Sequence, residues 1–490
     1  MEKAGVESCF GTGSNIQIGK ATLTVNHTNA ATDRNITLTD TAAINIPNGT
    51  LTLQSALKGT NGVLHKKGAG QLNINYGGTN GWGGTILEGG TISQGAWNAT
   101  LGRSGSTIHV TGNSNVRIFN NNSTSAVPAI TNVIEIDKGR TLTVAGGQRC
   151  RMQGTLKGEG NMNISFPYVR GDFSSNVTDF YGTINVTSGQ FRITSGLNLR
   201  NGTLTLGSGV YAAGLTGQSG TEVNLTHYIG ALTSSASDCT LSTSTWNVGY
   251  LGTSTTFAGV FNSAATLNKY GDGTLTLTGA SAGPLNIYAG EVVAGNTSAS
   301  TTTGTTTVRN GGLLDGTGQI QSVTVQKGGT IGAGRTTTAN VNTLTVNGTL
   351  TVANGGIIRI RTRSTSSRTN CDAFKVNGNI RLTSPVFDIS QLGTNDYPDD
   401  AELQIFTGTG KITLTDEPTI LPAIPKAGFL WDTSDLQSKG IIRIIPDADA
   451  IKAILDNPQN YVIYDLSGRR IQNMEKHGVY IVNGIKIVKQ

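Results

Sequence analysis

The phrase NGTLTL stands at 48–53 and returns unchanged at 201–206, with relatives GRTLTV (139–144), GTLTLT (273–278) and NTLTVNGTLTV (342–352). In each, apolar residues sit two apart: Leu51 and Leu53, Leu204 and Leu206, Leu275 and Leu277, Leu350 and Val352. Successive side chains on a strand point to opposite faces, so every such segment turns Leu, Val or Ile to one side and Thr or Asn to the other. Two or three inward residues cannot make a core. Stacked segments bury one continuous apolar column, which is the logic of a solenoid. The expected fold is therefore all-β, a parallel β-helix, with a small β module at its C-terminal end.

Glycine serves the same end. The chain of 490 residues holds 67 glycines, and only 13% of its residues are charged and 6% aromatic. Asn-Gly pairs recur beside the strands at 48–49, 201–202, 310–311, 347–348 and 377–378, as sharp turns require. At the usual ~20–25 residues per repeat the chain holds on the order of 20 rungs, which at about 4.8 Å each make a rod near ~100 Å long. A string of antiparallel sandwiches would carry proline-marked linkers and an aromatic core per domain. Of 11 prolines, eight lie from 284 onward, so the first 280 residues offer no such joint.

Three regions are expected: rungs over 1–382, capping rungs over 383–445 where prolines and aromatics rise, and a linker with a small β tail over 446–490. Asn483-Gly484 between VYIV and IKIV reads as a two-residue hairpin turn. No apolar run is long enough for a membrane helix. The start, MEKAGVESCFGTG, lacks a basic-then-apolar leader and enters strand-like text at once, so the chain is expected to be part of a longer protein. A formal charge of +6 from 36 basic and 30 acidic residues is too diffuse for a nucleic-acid surface. Cys9, Cys150, Cys239 and Cys371 lie far apart, with no ligand spacing for zinc and no dense disulfide framework.

Two stretches carry a resemblance. KKGAGQLNINYGGTNGWGGTILEGGTISQG (66–95) and KYGDGTLTLTGASAGPLNIYAGEVVAG (269–295) resemble the autotransporter-associated β-strand repeat of passenger domains. Lys66 or Lys67 with Gly68, Gly70 and Leu72, and Lys269 with Gly271, Gly273 and Leu275, fill its opening; Gly90/Ile92 and Gly290/Val292 close its second strand. The segment 310–352, followed by CDAFKVNGNIRLTSP, is similar to the passenger stretch before a C-terminal cap. The resemblance implies a right-handed parallel β-helix, secreted or at the cell surface. The tail, with Tyr464-Asp465-Leu466-Ser467-Gly468-Arg469-Arg470 and Gly478–Gly484, resembles the C-terminal sorting domain of Bacteroidetes secreted proteins, which implies secretion machinery as a partner.

Candidate chemistry is sparse. LLDGTGQI (313–320) is similar to the Asp-Gly-x-Gly of pectinase-like helices, but a catalytic Asp315 needs further acids nearby to divide acid and base roles, and the next rungs supply none; the passenger pattern makes it a turn between rungs. His65, His109 and His227 read as surface or turn residues, and no G-x-S-x-G elbow occurs. Asp396, Asp399, Asp400 and Glu402 gather hard oxygen ligands for calcium without an EF-hand pattern, so a solvated turn is favoured. In GIIRIRTRSTSSR (356–368), Arg359, Arg361 and Arg363 share one strand face, with Arg368 close behind. They are the candidate contacts to sulfated or uronate glycans, against the plainer reading of an outward charged face. No cofactor is implied. The expected function is a secreted or surface-exposed β-helical passenger or stalk, adhesin-like and non-enzymatic, that contacts a glycan or host surface. The alternatives are a polysaccharide lyase or glycoside hydrolase on a β-helix, or a carrier for a catalytic domain outside this chain.

Overall fold

The computed structural model describes residues 3–8, 10–78, 80–119, 127–147, 149–216, 220–295, 304–335, 339–448, 462–472, 474, 477–482 and 485–489. They are almost all strand and turn, and most strands pair in parallel with a strand one coil further on. The chain forms two compact units, Met1–Gly295 with Ala299–Thr305, and Asn296–Ser298 with Thr306–Gln490. This division falls inside the stretch 1–382 expected as one run of rungs.

In the first unit the chain alternates between two parallel ladders. One takes Asn15–Ile18, Asn35–Leu38, Leu57–Lys67, Gly81–Leu87 and Thr107–Val110. The other takes Thr50–Leu53, Gln71–Ile74, Gly90–Gln94, Ser114–Arg117, Thr141–Ala145 and Asn161–Phe173. Partners are a full coil apart: 20 residues separate Gln71 from Thr91, and 28 separate Asn115 from Thr143.

On the inner side of the second ladder, Leu51, Leu72, Ile92, Val116, Val144, Ile164 and Val186 fall in register, all buried. Burying each such side chain is worth about 1.5–3 kcal/mol, against about 1–2 kcal/mol to fix each backbone residue. One coil with a few inward residues does not balance that cost; coils that share a column and a hydrogen-bond ladder do.

The two copies of the Lys-x-Gly-x-Gly phrase fold alike. Lys66 and Lys269 are fully enclosed, and each ammonium donates to three carbonyls: Lys67, Gly68 and Gly89 at 2.7, 2.9 and 3.2 Å, and Tyr270, Gly271 and Ala289 at 2.7, 2.7 and 3.3 Å. Each lysine ties its own turn to the next coil. Burial lowers both amines to about 8. Gly68 and Gly271 take φ of 76° and 66°, and a Cβ there would lie 2.3 and 2.1 Å from the carbonyl oxygen of Ile46 and Gly249 on the preceding coil. Only glycine fits the motif.

In the second unit Val308, Val325, Val352 and Leu382 form one inner row, and Ile331, Ile358 and Phe387 another. Past residue 383 the strands Val386–Gln391, Phe406–Thr407, Ile412–Thr415 and Thr419–Leu421 still pair in parallel. Glu402–Gln404, Ile441–Pro446 and Phe429–Asp432 instead form an antiparallel sheet, with Tyr397, Ala401, Phe429 and Ile444 as a small core that Trp431 joins. The aromatics noticed in 383–445 supply that cluster. Ile463–Asp465, Arg470–Ile471, Gly478–Val482 and Ile485–Lys489 make a four-stranded antiparallel sheet. Val482 pairs with Ile485, the register a two-residue connection gives; Asn483-Gly484 themselves, like most of the expected linker, lie outside the described residues. No helix among the described residues is long and apolar enough to cross a membrane.

Candidate functional site

The outward side of the second ladder in the first unit carries two rows of small polar side chains. Thr50, Gln71, Thr91, Asn115, Thr143, Asn163, Asn185 and Thr205 form the first, one per coil. Asn73, Ser93, Arg117, Ala145 and Ser165 form the second. Asn185 Nδ2 donates to Asn163 Oδ1 at 3.2 Å, and the hydroxyls of Ser165 and Ser188 lie 3.2 Å apart.

Two depressions run across these rows. One of about 630 Å³ is lined by Thr50, Gln71, Thr91 and Asn115, and one of about 500 Å³ by Ser93, Phe119, Gly147 and Ser165. Both reach Arg117 and Ala145, so they share a wall. Arg117 is exposed, and it makes no hydrogen bond or ion pair among the described residues. It is also the one charged side chain among the described lining residues. Beneath it, buried Gln94 is held by the carbonyls of Ala99 and Ala129 at 2.8 and 3.1 Å and accepts the Phe119 amide at 3.4 Å.

Sequence reasoning passed over Arg117. The signal was present: in SNVRIF an arginine alternates between Val116 and Ile118, which places it outward. What the text does not give is the register that sets it between Ser93 and Ala145.

The arginines of the strand Ile357–Ser364 are a correction. Arg359, Arg361 and Arg363 were expected to share an accessible face, but of the three only Arg363 is exposed, as is Arg368 beyond the strand. Arg361 is 2% exposed; its Nε donates to Asp372 Oδ2 at 2.7 Å and its Nη2 to Asp372 Oδ1 at 3.1 Å and the Ala333 carbonyl at 2.9 Å. The strand turns back through Thr369–Cys371, pairing Thr362 with Cys371, and so brings Asp372 alongside. Arg359 pairs with Asp315. Arg363 donates to the Ala339 carbonyl at 2.8 Å. The four do not form one binding surface.

Asp315 is not an open turn residue. It ends the strand Gly312–Asp315, is fully buried, and meets the guanidinium of Arg359 from a later coil. A carboxylate so neutralised holds coils together. The acids of 395–402 also separate: Asp399 pairs with Lys426 and Glu402 with Arg443 at 2.8 Å, while Asp396 and Asp400 are exposed. Among the described residues no three His, Cys, Asp or Glu come together in a way that could hold a metal ion.

His65 and His109 are half-exposed, each 2.7 Å from an acid on the next coil, Glu88 and Asp137. His227 departs from the surface reading. It is fully buried, its ring centroid 4.4 Å from that of Trp246, and burial lowers its imidazole to about 4. Nδ1 accepts the Leu197 amide at 3.2 Å, so the proton sits on Nε2 and points at Ser244 Oγ, 3.0 Å away. That tautomer donates to the serine and cannot take its proton, so the pair is structural. Cys150 and Cys239 are buried free thiols and Cys371 is a partly buried one, while Cys9 lies outside the described residues.

Two further clusters went unread. Tyr228, Tyr250, Tyr270 and Tyr288 form a column, one per coil, with ring centroids 6.1, 5.1 and 4.6 Å apart; the first pair is tilted and the other two are stacked, and Arg200 lies over the first two rings. Glu222 accepts the hydroxyls of Thr243, Tyr211 and Ser242; burial opposes its charge, but these donors outweigh it and hold the carboxyl below its ordinary range. Comparison of the chain with protein-family models and with curated proteins finds no match.

Proposed function

We propose that this chain is a secreted or surface-exposed β-helical passenger or stalk, adhesin-like and non-enzymatic, whose polar outer face contacts glycans or other extracellular surfaces. The observation that carries the reading is the pair of in-register outward rows, Thr, Asn, Gln and Ser at nearly every coil. Such rows offer hydroxyls and amides that both donate and accept, at the coil spacing of about 4.8 Å. A lyase or hydrolase on the same scaffold needs two or three charged side chains from successive coils to converge on a sugar; the described groove residues carry one cation. The resemblance of the tail supports export through a C-terminal sorting signal.

A glycan array together with an assay of acidic and neutral polysaccharides for reducing ends and unsaturated uronates tests this. Binding without product is expected. Release of either product would replace the reading with a polysaccharide-degrading enzyme.

A further inference from the structure

We infer that the outward groove around Arg117 binds an extended acidic polysaccharide, the guanidinium gripping a carboxylate of one sugar. This rests on the glycan-contacting reading above and names its ligand class.

Four observations lead there. First, the two depressions meet at Arg117 and Ala145, so together they cross the strands from Thr50–Leu53 to Asn161–Phe173. A linear chain laid across these strands meets a new polar side chain about every 4.8 Å, close to the length of one pyranose unit. Second, Arg117 is exposed and uncommitted among the described residues. Several arginines of this unit are engaged: Arg192 holds Asp172 at 2.7 Å, Arg34 donates to the carbonyls of Val6 and Gly11 at 3.0 and 2.7 Å, and Arg200 lies on tyrosine rings. Arg103 and Arg140 are exposed as Arg117 is, but of the three only Arg117 lines the groove.

Third, the in-register neighbours of Arg117 are Ser93 and Ala145, too short to cover a guanidinium, and Gly146 and Gly147 keep the adjoining wall low. The planar fork is therefore open to a bidentate contact, the geometry in which arginine recognises a carboxylate. Fourth, half-buried Phe119 lines the same depression, offering an apolar ring for the C–H face of a sugar beside the one bound through its acid group. No carboxylate stands among the described lining residues to repel an anionic chain or to act as acid or base on it. The described lining residues can hold such a chain and include no carboxylate or histidine to cut it.

The test is calorimetry or affinity electrophoresis with the full chain against polygalacturonate, its fully methyl-esterified form, and dextran sulfate. Polygalacturonate is expected to bind, about tenfold more weakly to Arg117→Ala, with Arg117→Lys between the two and unchanged thermal unfolding in both. The neutral ester should bind more weakly than the acid and equally to both proteins. Binding of dextran sulfate alone would overturn the carboxylate assignment in favour of sulfate. Equal binding of polygalacturonate by wild type and Arg117→Ala would overturn the Arg117 site and leave the broader glycan reading standing. Failure of the wild-type chain to bind any of the three, or any glycan on an array, would bring down that broader reading itself.

Discussion

Arg117 and Arg361 stand on parallel strands with nearly the same text, SNVRIF and IIRIRT, and alternation turns both away from the inner apolar rows. Arg117 faces open space between Ser93 and Ala145. Arg361 is enclosed, hydrogen-bonded through its fork to Asp372 and to the Ala333 carbonyl. The difference lies in what the chain does next. After Arg361 it doubles back through an antiparallel pairing and delivers an acid to the outer side; the in-register neighbours of Arg117 on the two adjoining coils are the short Ser93 and Ala145. Alternation assigns a side, and the neighbours decide whether that side is solvent.

The comparison breaks most visibly by truncating each arginine in turn. Arg361→Ala leaves Asp372 buried without its cation and should cost about 3–5 kcal/mol in denaturant unfolding; a loss below about 1 kcal/mol would mean the site rehydrates freely. The same contrast can be drawn between the two sides of one strand. Leu72→Ala empties part of the inner column and is expected to cost about 2–5 kcal/mol, while Gln71→Ala next to it should change stability by no more than about 0.5 kcal/mol. Equal effects at 71 and 72 would deny the alternation.

Histidines give a pH version. With His227 lowered to about 4 by burial, the unfolded chain binds its proton between pH 6.5 and 4 while the folded chain does not. Stability from this residue is complete above about 6.5 and drains as pH falls toward 4, by roughly 3 kcal/mol at ~1.4 kcal/mol per pH unit. Unfolding of His227→Gln measured across that range should be flatter than wild type; an equally steep profile would contradict the buried neutral imidazole. The smallest effect belongs to Arg117→Ala, expected within about 0.5 kcal/mol of wild type. A larger loss would make Arg117 a structural residue rather than a waiting one.

Much of the scaffold was legible because its rules are local. The two-apart spacing of Leu51 and Leu53, or Leu350 and Val352, names the inner face directly. The glycines of Lys-x-Gly-x-Gly named the turns, although the lysine's task, donating to three carbonyls across two coils, emerges only once the coils are stacked. The site was less legible because its ingredients are far apart in the text. Ser93, Arg117 and Ala145 meet through register set by coils of unequal length, 24 residues from Ser93 to Arg117 and 28 from there to Ala145. Asp372 reaches Arg361 through a fold-back that no periodicity announces, and the buried place of His227 depends on Leu197 and Ser244 from neighbouring coils. Composition also gave no warning that compactness divides the chain near 295–306.

The stacking register itself is open to direct measurement by disulfide trapping, with bonds located by mass spectrometry. Gln71 and Thr91 are in-register outward partners, at the parallel-strand spacing of about 4.8 Å that a disulfide spans. A chain carrying Gln71→Cys and Thr91→Cys should cross-link fully under mild oxidation, while Gln71→Cys with Ile92→Cys, which points into the column, should stay reduced. Cross-linking of the second pair and not the first would contradict the stacked parallel coils.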